Sequence, residues 1–370
     1  MTDFVVIGGG FAGASAAAHL APHGSVVLLE MESTLAYHTS GRSAAMLVED
    51  YGSATGRPLV KAGRQFMENP PPDSVDSPLL SERHVIWVAG RDGMDDLGAR
   101  AEAGGAHGAA GRLIGPEQVI ELMPAMRPDW LAGGLWVSST AEIDVAALHQ
   151  AFVRIARSHD AEIVTNAPVS SIRREVDGWV VGAGDRQVRC NAIVNAAGAW
   201  GDVIARMAGV DPIGLQPMRR TAFMVPGSKE SAGWPMTVET NENWYVKPDG
   251  VQFLCSLAEE VPSEPTDPRP RMTDVALAID RINEATTLNI RTVNSQWTGL
   301  RTFAPDRELV IGEEPNAPGF LWLVGLGGIG VQTSPAYGAL LASLTIGADL
   351  PQSLTDAGAD PERTSPSRFR

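Results

Sequence analysis

Two groups of residues in this chain of 370 have types and spacings suited to chemistry. The first is Gly8-Gly9-Gly10-Phe11-Ala12-Gly13, which follows an apolar run and opens an alanine-rich one. This G-x-G-x-x-G frame suits a dinucleotide pyrophosphate. Gly8 permits a tight turn, Gly10 lets backbone N–H groups approach phosphate, and Gly13 lets a helix pack closely on a strand. The start of that helix then faces the negative charge. Glu30, 22 residues after Gly8, has the type and spacing to accept hydrogen bonds from ribose hydroxyls. The second group is three segments of small residues: 38–45 (HTSGRSAA), 194–200 (VNAAGAW) and 325–330 (GLGGIG). Small side chains let a backbone come close to a ligand.

The elements that must position these residues are legible around them. Residues 3–8 read as a buried strand, 11–21 as a helix stopped near Pro22, and 25–30 as a second strand. Strand, helix and strand in so short a span make a βαβ unit with a parallel pair. The run 69–78 (NPPPDSVDSP) reads as a turn-rich crossing between lobes. Residues 101–111, rich in Gly and Ala, read as a loop or a loose helix end. An amphipathic helix is predicted over 145–158, then strands over 161–165, 168–174, 178–182 and 187–195. The proline-rich, acidic stretch 259–270 reads as a solvated loop that could act as a lid. A helix over 273–286 follows. Later come a strand over 320–324, the second glycine-rich turn, and a helix to about 347. The last 15 or so residues read as irregular.

Bulk properties bound the function. A chain this long, 44% hydrophobic, can bury a large core in two lobes. A net charge of -15 argues against nucleic acid and anionic membranes as main partners. Cys190 and Cys255 form neither a CxxC pair nor a metal spacing, and read as reduced thiols of a cytoplasmic protein. The apolar N-terminus has Asp3 where a signal peptide needs basic residues. No run of about 20 apolar residues suggests stable insertion in a membrane. His19 and His23 are four apart, but Pro22 breaks their helix and no third ligand is near, so no metal is expected.

The βαβ unit alone does not choose between NAD and FAD. The segments 38–45, 194–200 and 325–330 favour FAD, since they can line the rest of a long dinucleotide. The helix after the second glycine-rich turn would also stabilise negative charge on the flavin N1–C2=O edge. The chain resembles the FAD-dependent D-amino-acid oxidase superfamily, which includes glycine and sarcosine oxidases. Within it the chain is most similar to the D-arginine dehydrogenases. The likeness runs nearly end to end through YHTSGRSAA (37–45), ALHQ (147–150), VNAAGAW (194–200), GLQPMRR (214–220), WYVKPD (244–249), GLRTF (299–303) and GLGGIGVQTS (325–334).

The resemblance implies an α/β fold. A Rossmann-like FAD-binding domain would be built from 1–76, 140–218 and 302–370, and a mixed-sheet α+β substrate domain from 77–139 and 219–301. It implies noncovalent FAD, since no cysteine matches the flavin-linking one of sarcosine oxidase. In the first half of the chain the FAD contacts would be Gly8, Gly10, Phe11, Ala12, Gly13, Glu30, Ser40, Gly41, Arg42, Ser43 and Ala44. Later ones would be Val169, Ala197, Gly198, Trp200, Arg301, Gly327, Gly328, Ile329, Gly330, Val331, Gln332 and Thr333. Tyr51, Arg220, Tyr245 and Arg301 would line the substrate. Physical logic agrees, because a carboxylate is best held by guanidinium and phenol groups. Arg301 also lies in the apolar stretch TGLRTF, where an unpaired arginine would be costly. Arg219 could take the place of Arg220.

The chain departs from the D-arginine dehydrogenases at two positions. A substrate-facing histidine is replaced by Met46, and the glutamate that reads the substrate guanidinium by Val85. A buried cationic side chain would find no partner there. The expected substrate is therefore a D-amino acid with an apolar or small side chain, unless Glu82 supplies the missing charge. The expected reaction is hydride transfer to flavin N5, with imine hydrolysis to a 2-oxo acid and ammonia. Alternatives are a secondary amine, a 2-hydroxy acid, or a flavoprotein without turnover. The electron acceptor stays open between oxygen, a quinone and another carrier.

Overall fold

A computed structural model of the chain describes residues 1–106 and 111–370. The N-terminal pattern folds as its period dictates. Strand β1 (Thr2–Ile7) leads through the glycine turn into helix α1 (Phe11–Leu20) and strand β2 (Val26–Leu29). β1 and β2 are parallel, with Phe4 opposite Val26 and Ile7 opposite Leu29. Strand Arg186–Asn195 lies parallel to β1 on its other side. That strand is long enough to serve two neighbours. Its first half pairs antiparallel with Gly178–Ala183, and its end runs parallel to Phe320–Val324. Strands Glu162–Val164, Val169–Glu175 and Val310–Glu313 complete an eight-stranded mixed sheet.

Helix α1 is buried along almost its whole length, which its alanines allow. Helix Ser334–Ile346 crosses it so closely that a Cβ on Gly338 would collide with Ser15 Oγ. Ser15 Oγ donates to Ser334 O at 2.6 Å.

A nine-stranded mixed sheet forms the second lobe, drawn from residues 85–137 and 216–303. Two of its strands cross the boundaries expected at 218/219 and 301/302: Gln216–Pro226 and Ser295–Phe303 pair along their length. The alternation of a strand decides what each face carries. Phe223, Val225 and Val246 pack under helix Met272–Ala285 with Val275, Ala278 and Ile282. Ala222, Met224 and Tyr245, one residue out of phase, join Val85 and Trp87 in a cluster on the opposite face. A three-stranded sheet (Met46–Val48, Thr140–Ile143 and Leu80–Glu82) adds a smaller layer.

Two expectations need correction. The stretch 259–270 is fastened down rather than free. Val261 and Pro262 pair with Arg219 and Met218, and Asp267 accepts from Arg42 at 2.7 Å. The last 15 or so residues are not irregular. They form short helices, Gln352–Ala357 and Pro361–Thr364, and Arg370 donates to the buried carboxylate of Glu314 at 2.6 Å. The stretch 101–111 is helical to Ala106, and 107–110 lies outside the described residues. Among the described residues no helix is long and apolar enough to cross a membrane.

Candidate active site

A long cleft runs from the β1–α1 turn to the inner face of the second sheet. At its first end the glycines meet backbone where side chains would clash. A Cβ on Gly8 would lie 2.6 Å from Ala196 O, and Gly8 adopts φ +109. A Cβ on Gly13 would collide with Gly8 O, so Gly13 serves packing and does not line the cleft. A Cβ on Gly10 would meet Ser40 Oγ at 2.8 Å, and that hydroxyl accepts from Phe11 N at 3.0 Å. Glu30 is buried at the end of β2. Its carboxylate accepts from Gly9 N at 2.6 Å and Glu32 N at 2.8 Å.

The segment 39–42 is laid along strand Ser295–Phe303. Thr39 Oγ1 donates to Leu300 O at 2.8 Å, and Arg42 Nη1 donates to Thr298 O at 2.6 Å. Ser40, Arg42, Ser43 and Ala44 line the cleft, whereas Gly41 does not: a Cβ there would meet Ala36 O. Phe11, Ala12, Val169, Ala197, Gly198 and Trp200 also line it. His38, at the start of the 38–45 segment, lines it too, with its ring 4.9 Å from that of Trp200.

The second glycine-rich turn contributes Gly327, Gly328, Gly330 and Val331. Ile329, Gln332 and Thr333 point elsewhere, against expectation. Ile329 packs where Gly52 and Gly56 leave room, Gln332 Oε1 accepts from Val48 N at 2.8 Å, and Thr333 Oγ1 donates to Ile329 O at 2.8 Å. The turn itself, rather than the start of helix Ser334–Ile346, faces the cleft.

Arg220, Tyr245 and Arg301 line the other end. Arg220 stands opposite Gly299, so Arg301, two residues on, is its diagonal neighbour on the same face. Arg219 points the opposite way and donates to Arg269 O. Burial first, then the like charge of Arg301, pulls the Arg220 guanidinium below the usual arginine range. Burial opposes the charge on Arg301 as well, but Tyr51, Tyr245 and Glu242 outweigh it and raise that group above its usual value.

Tyr51 lines an adjoining cavity of about 640 Å³ that shares Arg301 with the cleft. Its hydroxyl accepts from Arg301 Nη1 at 3.4 Å and donates to Glu242 Oε2 at 3.3 Å. Glu242 also faces Arg100 at 3.6 Å. Sequence reasoning missed Glu242, because an acid in the polar turn TNEN carries no sign of facing inward. Met46 and Val85 do not line the cleft. They pack in the apolar cluster that also holds Tyr245 and Trp87. Glu82 is no substitute for the missing charge: its side chain is 84% exposed and meets His84.

A family profile described as FAD dependent oxidoreductase matches residues 3–344. The chain belongs to this family. Human mitochondrial sarcosine dehydrogenase is 25% identical over 362 residues, covering 92% of this chain and 39% of that protein. Glycerol-3-phosphate dehydrogenase 1 of Mycobacterium bovis is 29% identical over 334 residues, covering 81% and 62%. The chain thus spans under two thirds of the length of these curated relatives. Among solved structures, L-proline dehydrogenase from P. horikoshii superposes with a TM-score of 0.85 at 19% identity, covering 100% of this chain and 97% of the other. Glycine oxidase from Geobacillus kaustophilus gives 0.85 at 22% identity, covering 99% and 98%. These likenesses show the shared fold.

The residues present fit the cofactor of an FAD-dependent oxidoreductase. Side chains would fill the cradle at Gly8 and Gly10, and Glu30 ends β2 beside it. Neither Cys190 nor Cys255 lines the cleft.

Proposed function

We propose that this oxidoreductase oxidises the Cα–N bond of a D-amino acid with an apolar or small side chain. The observation that carries this reading is the pair Arg220 and Arg301 on one face at the end of the cleft. Two buried guanidinium groups side by side repel each other, and a substrate carboxylate between them relieves that repulsion. Planar guanidinium forks suit a carboxylate in particular.

Each remaining group has a part in the reaction. The Tyr51 hydroxyl, held between Arg301 and Glu242, orients the carboxylate from one side, and Tyr245 from the other. The substrate side chain meets Ala44 and Ala222, which line the cleft and belong to the apolar cluster in which Met46 and Val85 pack, and a cationic head group has no partner among them. Bound FAD supplies the two-electron acceptor for the Cα hydride. The ammonium proton is lost to water first, so hydride departs from Cα of the neutral amine, and positioning replaces a strong general base. Water then hydrolyses the imino acid to a 2-oxo acid and ammonia.

The D configuration and the roles of the two tyrosines rest on the likeness to the D-amino-acid oxidase superfamily. A secondary amine is the second reading, favoured by the similarity to sarcosine dehydrogenase over 92% of this chain. Anaerobic mixing with a panel of D- and L-amino acids, sarcosine and D-arginine separates the two by loss of flavin absorbance. D-Met and D-Leu are expected to bleach the flavin faster than D-Arg, and their L forms not at all. Preference for D-Arg would sink the side-chain assignment, and bleaching by sarcosine alone would favour the second reading.

A further inference from the structure

The Gly9 peptide groups are held on both sides by partners outside the glycine turn. Gly9 N–H donates to Glu30 Oε2 at 2.6 Å. Gly9 O accepts from Ala36 N at 3.1 Å and from His149 Nε2 at 3.0 Å. A carbonyl only accepts, so Nε2 must carry the proton.

His149 reaches this point from helix Val145–Ser158, whose start is capped by Asp144 Oδ1 accepting from Ala147 N at 2.8 Å. The residue is 3% exposed, and its ring stands edge-on to Phe11, with centroids 5.3 Å apart. Burial moves its pKa down, so the ring rests neutral.

The planar trans peptide sets C=O and N–H on opposite sides. With Gly9 O drawn toward His149 and Ala36, Gly10 N–H points the other way. It donates to no atom of the protein among the described residues, and Gly10 lines the cleft. A free backbone donor at the entry to a helix is the group a phosphate oxygen needs.

We propose that His149 is a positioning residue for the cofactor's pyrophosphate: it holds Gly9 O and thereby aims Gly10 N–H into the cleft. The inference rests on the FAD-binding role of this turn and is independent of the substrate.

The test uses the holoprotein with His149→Phe, which keeps a ring without a donor, and His149→Gln, which keeps an N–H donor. FAD dissociation is read from the fluorescence of released flavin, and the pyrophosphate environment from 31P NMR of the bound cofactor. His149→Phe is expected to weaken FAD about tenfold or more, the size of one lost hydrogen bond to a buried acceptor. Its 31P resonances should move while the flavin absorption maxima stay. His149→Gln is expected to restore affinity to within about threefold of the parent, well inside that tenfold. Parent-like affinity in His149→Phe would overturn the proposal. So would equal loss in both variants with unmoved 31P resonances, which marks a packing role. If His149→Phe does not fold, His149→Leu, which also lacks a donor, takes its place with the same readouts, the same expected loss and the same overturning outcomes.

Discussion

The guanidinium of Arg301 occupies the space that a side chain at Gly328 would need. A Cβ on Gly328 would lie 2.8 Å from Arg301 Nη1 and 3.0 Å from its Cζ. Gly328 has no positive φ, so alanine is permitted by the backbone and excluded only by Arg301. Gly328→Ala should therefore displace the guanidinium and raise KM about tenfold or more, the worth of a charge-assisted hydrogen bond, with FAD content unchanged. Gly327→Ala is the contrast. Its φ is +52 and its Cβ would press on the Phe303 ring, so it should lower FAD content as well. Steady-state kinetics beside the flavin-to-protein absorbance ratio separate the two.

Removing either cation of the pair should act on substrate binding. Arg301→Met and Arg220→Met are expected to raise KM by about 10- to 100-fold, since a hydrogen bond to a charged group is worth about 1.5–3 kcal/mol. Arg219→Met should leave KM unchanged, because that side chain faces the 259–270 stretch. An unchanged KM in Arg301→Met would remove it from the site.

Lys247 gives a test of stability rather than chemistry. Its side chain is 4% exposed and its ammonium pairs with Glu142, which also accepts from Arg83 Nε at 3.1 Å. Arg83 keeps carbonyl partners at Ala232 and Trp234, but Lys247 would be left buried and unpaired in Glu142→Ala. That variant should lose about 3–5 kcal/mol of stability, and Glu142→Leu with Lys247→Met should recover most of it. Denaturant unfolding measures both.

His149 sets a pH dependence. Burial lowers its folded pKa from 6.5, so the unfolded chain takes the proton more readily. Stability from this group is therefore complete above the unfolded value and falls as pH drops below it, by up to about 1.4 kcal/mol per pH unit. Unfolding at pH 7.5, 6.5 and 5.5, with FAD concentration fixed, should show the decline in the parent and a flatter curve in His149→Phe.

Much of the cofactor end was legible in the sequence because its signals are local. The β1–α1–β2 unit needs only a run of apolar residues, three spaced glycines and an acid at the next strand end. The substrate end was less legible. Whether Arg219 or Arg220 faces inward depends on the phase of strand Gln216–Pro226, and only its pairing with Ser295–Phe303 shows that phase. Glu242 and His149 act across gaps of 191 and 140 residues, to Tyr51 and Gly9. The tail was misread because its polar residues looked solvated, whereas Arg368 and Arg370 anchor it to Asp306 and Glu314.

By itself the sequence determined the dinucleotide turn, the period of each strand and helix, and a set of residue types suited to a flavin and a carboxylate. Those follow from contacts within a few residues, which spacing records. Tertiary structure decided which of those residues meet. It turned Gln332 and Thr333 away from the cleft, set Arg220 diagonal to Arg301, and placed Gly328 where the Arg301 guanidinium passes. The reason is physical: a strand offers two faces, and only its pairing with distant strands decides which face becomes the wall of the site.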